Sequence, residues 1–218
     1  MDFLKLDSPF MRALGTLANL MILNMLTILC CIPIITAGAS FTAMHYVLLK
    51  IIRGEETYIA KQFFKSFKEN FLQSTILWIF MVAVYVILFI DWRVLRMQGD
   101  QFPGFLIILL YAAALFIYLM SLYVFPVLSR YKNTIRGTIK TSYSMCVLGI
   151  ITLRTILSGL VIPIMLFLFY MGGNAIVPVI IVFCFTGPGY FRAKLYNGLF
   201  KKYEEKADIA PVEEALEE

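Results

Sequence analysis

Thirty-seven consecutive residues, Ala13–Leu49, contain no Asp, Glu, Lys or Arg. As one helix they would run roughly 55 Å at 1.5 Å per residue, nearly twice the ~30 Å hydrocarbon core of a bilayer. Three further stretches are equally free of charge: Asn70–Ile90, Gln101–Ser129 and Thr155–Phe191, of 21, 29 and 37 residues. The two middle stretches each suit one membrane crossing, and each long one suits a helical hairpin. Composition agrees. Hydrophobic residues make up 61% of the 218 and charged residues only 15%, with a mean hydropathy of +0.82. A soluble domain of this size cannot bury that much apolar surface, so lipid must cover it.

The long stretches carry turn signals near their middles. The first has Pro33, then Thr36-Ala37-Gly38-Ala39-Ser40; the second has Met171-Gly172-Gly173-Asn174. Proline removes a helical donor and restricts the residue before it, so the first helix is expected to end at Ile32. The predicted spans are Leu14–Ile32, Ile35–Ile52, Phe71–Ile90, Phe105–Phe125, Val147–Met171 and Ala175–Phe191. The fold class is all-α: a polytopic transmembrane bundle of six spans, with five as the alternative if Ala13–Leu49 crosses once. Residues 1–200 form the membrane domain, and 201–218 an acidic cytoplasmic tail.

Orientation follows from Lys and Arg. Six spans put 16 of them on one side and only Arg93 and Arg96 on the other, with Arg154 inside a span; five spans give 14 against 4. Both termini are therefore expected in the cytoplasm of a bacterial cell, in its inner (cytoplasmic) membrane. A net charge of +5 belongs to this asymmetry and not to nucleic-acid binding. A cleaved signal peptide ending at Ala37-Gly38-Ala39 is the rival reading, but the apolar run is too long and Pro33 interrupts it.

Two basic loops read as amphipathic helices. In Glu56–Phe71 the apolar stripe is Ile59, Phe63, Phe67 and Phe71, flanked by Lys61, Lys65 and Lys68. In Leu128–Cys146 it is Leu128, Tyr131, Ile135, Ile139 and Tyr143, among Arg130, Lys132, Arg136 and Lys140. Each is expected to lie on anionic lipid or against a partner subunit. Ile59, Phe63, Phe67, Phe71, Arg130 and Arg136 are the candidate docking residues. Gly38, Ala39, Thr42 and Ala43 place small side chains on one side of the second span, suited to close packing against the first.

No chemistry stands out. Asn19, Asn24 and Thr27 suit interhelical hydrogen bonds, and His45, the only histidine, suits a packing contact. Arg154 is expected to snorkel from the start of its span. The four cysteines have no metal-ligand spacing. No catalytic motif, no paired carboxylate and no acid within a span points to an enzyme, a cofactor, a metal or a cation-coupled pump.

The run Cys31-Ile32-Pro33-Ile34-Ile35-Thr36-Ala37-Gly38-Ala39-Ser40 leads through Ala43 and Tyr46 to Lys50 and Ile52-Arg53-Gly54-Glu55-Glu56. Phe63-Phe64-Lys65-Ser66-Phe67-Lys68-Glu69-Asn70-Phe71 follows. This pattern resembles the YesL family of bacterial membrane proteins, mostly from Firmicutes, and the likeness extends over nearly the whole chain. That family has no established activity and no assigned site residues. Its genes commonly lie beside sugar-importer and polysaccharide-degradation genes. The resemblance therefore implies an accessory or assembly subunit of an ATP-driven carbohydrate importer, contacting permease or ATPase subunits. A small independent transporter or channel, and a membrane scaffold or signalling protein, are the alternatives.

Overall fold

The computed structural model describes residues 9–55, 58–98, 103–131, 133–151, 154–160, 163–164, 167, 170 and 185–207, and every element among them is helical. Helix α1 (Pro9–Cys31) ends ahead of Pro33, and a 3-10 turn (Ile34–Thr36) leads into α2 (Ala37–Arg53). The Thr36 hydroxyl donates to the Cys30 carbonyl at 2.6 Å and has the Pro33 carbonyl 2.8 Å away, and the Thr36 N–H bonds Pro33 O at 3.0 Å. Helix α2 stops at Gly54. A φ of 75° there lets its N–H reach the Ile51 carbonyl, while the Glu55 N–H reaches that of Lys50. Lys50 and Arg53 both pair with the Glu55 carboxylate, at 3.3 and 3.0 Å.

Helix α3 (Ile59–Gln98) is one uninterrupted rod of 40 residues, about 60 Å long. This corrects the expected division into an in-plane helix over Glu56–Phe71 and a separate span. Ile59–Gln98 contains neither Gly nor Pro, so nothing breaks the backbone where the character changes from basic to apolar. Helix α4 (Gly104–Arg130) returns alongside it, carrying Pro126 within its last turns. The second basic loop is not a continuous helix either. The chain turns extended at Tyr131, and α5 (Ile135–Ile151) starts afresh with the Thr134 hydroxyl accepting the Gly137 N–H at 3.2 Å.

The expected span Val147–Met171 is also divided. Helix α5 ends at Ile151, and α6 (Arg154–Leu160) leaves it at a bend of 97°. Arg154 thus lies in α6, beyond the bend. Helix α7 (Thr186–Ala207) begins inside the predicted sixth span and carries the chain beyond Lys201. The Met171–Asn174 turn, Ala175–Cys184 and the tail after Ala207 lie outside the described residues.

Among the described residues four helices are long and apolar enough to cross a membrane: Phe10–Cys31, Ile34–Arg53, Ile59–Met97 and Gly104–Arg130. A fifth is added if the bent pair α5–α6 counts as one. This is a helical membrane protein.

The core gathers around α2, which touches α1, α3, α4 and α7. Leu23 of α1, Met44, Val47 and Leu48 of α2, Phe63 of α3 and Tyr123 and Val127 of α4 meet Tyr196, Leu199 and Phe200 of α7. Gly38 lies against α3, not against α1 as its sequence context suggested. A Cβ there would fall 2.6 Å from both the Ser74 carbonyl oxygen and Trp78 Cβ. The α1 contact comes instead from Ser40, whose hydroxyl donates to the Thr27 carbonyl at 3.0 Å. Beyond this core, Ile79–Met97 of α3 and Phe105–Leu115 of α4 leave most of their large apolar side chains exposed.

Candidate groove at the basic end and buried polar cluster

A cavity of about 840 Å³ opens between α3 and the α4–α5 junction, with Tyr46 of α2 at one edge. Helix α3 contributes Lys65, Ser66, Glu69, Asn70, Leu72, Gln73 and Ile76 at spacings of three and four, which puts them on one face. Leu128, Ser129, Tyr131, Asn133, Thr134 and Ile135 form the opposite wall. The break after Arg130 shapes this wall, since the chain turns extended at Tyr131 before α5 begins. The Gln73 amide donates to the Asn133 carbonyl, pinning the turn to α3, and the Asn70 amide donates to the Ser66 carbonyl at 3.0 Å. Lys65 and Glu69 stand exposed on the rim, and Lys61, Lys68, Arg136 and Lys140 are exposed nearby.

A buried polar cluster joins α4, α6 and α7. The Tyr123 and Thr155 hydroxyls are 2.6 Å apart, and the Tyr196 hydroxyl lies 3.1 Å from that of Ser158. The two tyrosine rings lie with centroids 4.6 Å apart, tilted by 35°. Gly149 permits this approach, since a Cβ there would overlap both Thr155 Oγ1 and the Tyr123 hydroxyl. Burial pushes the Tyr196 phenol up to about 12, with the Arg192 guanidinium partly opposing it. His45 is buried with Nδ1 unbonded, and the buried Arg192 Nε likewise lacks a partner. These groups bring together hydroxyls, an imidazole and the Arg192 guanidinium.

The residues expected to dock a partner are mostly internal. Ile59 is 6% exposed and Phe63 0%; Phe67 and Phe71 are half-buried and continue a row of ring contacts from Phe63. The stripe is taken up by the core because α3 packs along α2. Arg130 is buried too, its guanidinium 5.2 Å from the Phe200 ring centre. Arg136 alone of the six stands exposed. Gly38, Ala39, Thr42 and Ala43 are all buried. Sequence reasoning missed the role of α7. Its signal was present in Ala193, Tyr196 and Phe200, apolar at helical spacing within a segment rich in lysine.

A family model described as a protein of unknown function, DUF624, matches residues 20–92, about a third of the chain. The matched stretch runs from mid-α1 through the Pro33 turn and α2 to most of α3. It thus holds one wall of the groove together with Asn24, Gly38 and His45. No curated protein and no solved structure matches the chain.

Proposed function

We propose that this chain is a non-enzymatic accessory or assembly subunit of an ATP-driven carbohydrate importer in the bacterial cytoplasmic membrane. Six apolar segments sit in the bilayer and both termini face the cytoplasm, as the one-sided distribution of Lys and Arg favours. The observation that carries the reading is the groove between α3 and the α4–α5 turn. It lies at the basic end of the bundle, holds about 840 Å³, and is lined by Leu72, Ile76, Leu128 and Ile135 as well as by Ser66, Asn70, Gln73 and Asn133. Its surroundings carry the exposed cations Lys61, Lys65, Lys68, Arg136 and Lys140 against Glu69, so an acidic-faced helix of a permease or ATPase subunit is the complementary occupant. The YesL-like pattern, with its genes beside sugar importers, supports the same partner. The buried polar groups named above include no carboxylate, in keeping with a role that does not pump.

The test is copurification from membranes that also express the neighbouring importer. The tagged wild type is expected to bring down an importer subunit, and Lys65→Glu with Arg136→Glu to lose it while the fold survives. If the wild type retrieves no importer subunit, the accessory role falls and independent transport becomes the better reading.

A further inference from the structure

We infer that the α1–α2 hairpin is re-entrant: it enters the bilayer from the cytoplasmic side, turns at Pro33 near the middle of the hydrocarbon, and returns without crossing. The inference rests on the reading above that α3 and α4 cross the membrane. Its basis is register. Gly38, one residue into α2, abuts Ser74 and Trp78 of α3, and the Phe41 ring lies 6.0 Å from that of Trp78. Antiparallel packing sets the Pro33 turn about one helical turn beyond Trp78. Helix α3, however, runs on to Gln98. Its outer boundary is marked by Asp91, Trp92, Arg93 and Arg96, where the Arg96 guanidinium sits 4.8 Å over the Trp92 ring. That is the pairing of aromatic and cation found where a helix leaves hydrocarbon for water. The turn therefore stops roughly 15–20 Å short of that boundary, near the centre of a ~30 Å core.

The turn is built for such a place. Ile32, Ile34 and Ile35 are 71%, 75% and 63% exposed, and no charge, Trp or Tyr lies within Ala13–Leu49 apart from Tyr46. Backbone in hydrocarbon must bond internally. Here the Ile32 N–H bonds Leu29 O, the Thr36 N–H bonds Pro33 O, the Thr36 hydroxyl serves the Cys30 and Pro33 carbonyls, and Pro33 has no N–H to satisfy.

The inference is tested with single cysteines at Ile34, Ile35 or Met97, in the full chain with its native cysteines replaced by alanine. A membrane-impermeant maleimide is applied to right-side-out and to inside-out vesicles. Met97→Cys is expected to react from the outside. Ile34→Cys and Ile35→Cys are expected to react at least about tenfold more slowly from either side, and to match Met97→Cys in detergent. Reaction of Ile34→Cys or Ile35→Cys from the same side as Met97→Cys makes the hairpin a true crossing and overturns the inference alone. Reaction of either from the opposite side places the turn at the cytoplasmic surface, which also overturns it. If Met97→Cys reacts from neither side, the crossing of α3 and α4 falls first, and the hairpin with it.

Discussion

Asn24, on α1, caps the start of α7: its side-chain oxygen accepts the backbone N–H groups of Phe185 at 3.2 Å and Thr186 at 3.3 Å. Thr186 answers by donating its hydroxyl to the Leu20 carbonyl at 3.2 Å. Two segments more than 160 residues apart are thereby joined through groups that neither lipid nor water replaces at a buried site. Asn24→Leu, which cannot accept, is expected to destabilise the fold by about 1–2 kcal/mol, whereas Asn24→Asp keeps the acceptor and loses less. Thermal unfolding in detergent reads the difference. Equal melting of Asn24→Leu and wild type would mean the cap contributes nothing.

Gly38→Ala is expected to lower the yield of folded protein, because its Cβ meets α3 backbone, which cannot swing aside as a flexible side chain does. A cost of about 1–3 kcal/mol is the usual range for overpacking. Gly15→Ala is the control, since a Cβ there meets nothing within 4 Å. Size-exclusion recovery of the two variants, side by side, separates a packing effect from a general intolerance of glycine replacement.

Phe63 and Phe64 are neighbours with opposite fates. Phe63 is fully buried and Phe64 is 43% exposed. Phe63→Ala is expected to cost about 3–5 kcal/mol through the cavity it leaves, and Phe64→Ala much less. A Phe63→Ala protein that melts normally would return the aromatic stripe to the surface.

Stability should fall at high pH through Tyr196. Its folded-state value, about 12, stands above the ordinary tyrosine value of 10.0 because the ring is buried. Below pH 10 both states keep the proton and nothing changes. Between 10 and 12 the unfolded chain ionises first, so folding loses up to about 1.4 kcal/mol per pH unit from this group, and above 12 the slope ends. Tyr196→Phe should remove that part of the slope between pH 10 and 11. Identical slopes for the two proteins would show that the phenol does not ionise on unfolding in this range.

The helical class and the ends of α1 and α2 were legible in local features: charge-free runs, Pro33, and Gly54 after a helix rich in apolar residues. These signals act within a few residues of themselves, through missing donors, φ restrictions and the cost of charge in lipid. The basic segments misled for a related reason. Lys61, Lys65 and Lys68 beside a Phe stripe describe a helix with one wet and one dry face, and periodicity reports the dry face without saying what covers it.

What covers it was decided by the tertiary structure. Phe63 joins the core that α2 organises, Arg130 meets Phe200, and Gly38 meets Ser74 instead of α1. The groove lies where the Gln73 amide joins α3 to the Asn133 turn. Each of these joins residues far apart in the chain, and the pairing is chosen by shape and by unsatisfied polar groups finding one another. By itself the sequence determined that this protein is helical, lives in a membrane and turns at Pro33. How deep that turn sits, and which apolar face meets protein and which meets lipid, was decided by packing, because burying a face on a helix and burying it in lipid remove nearly the same area from water.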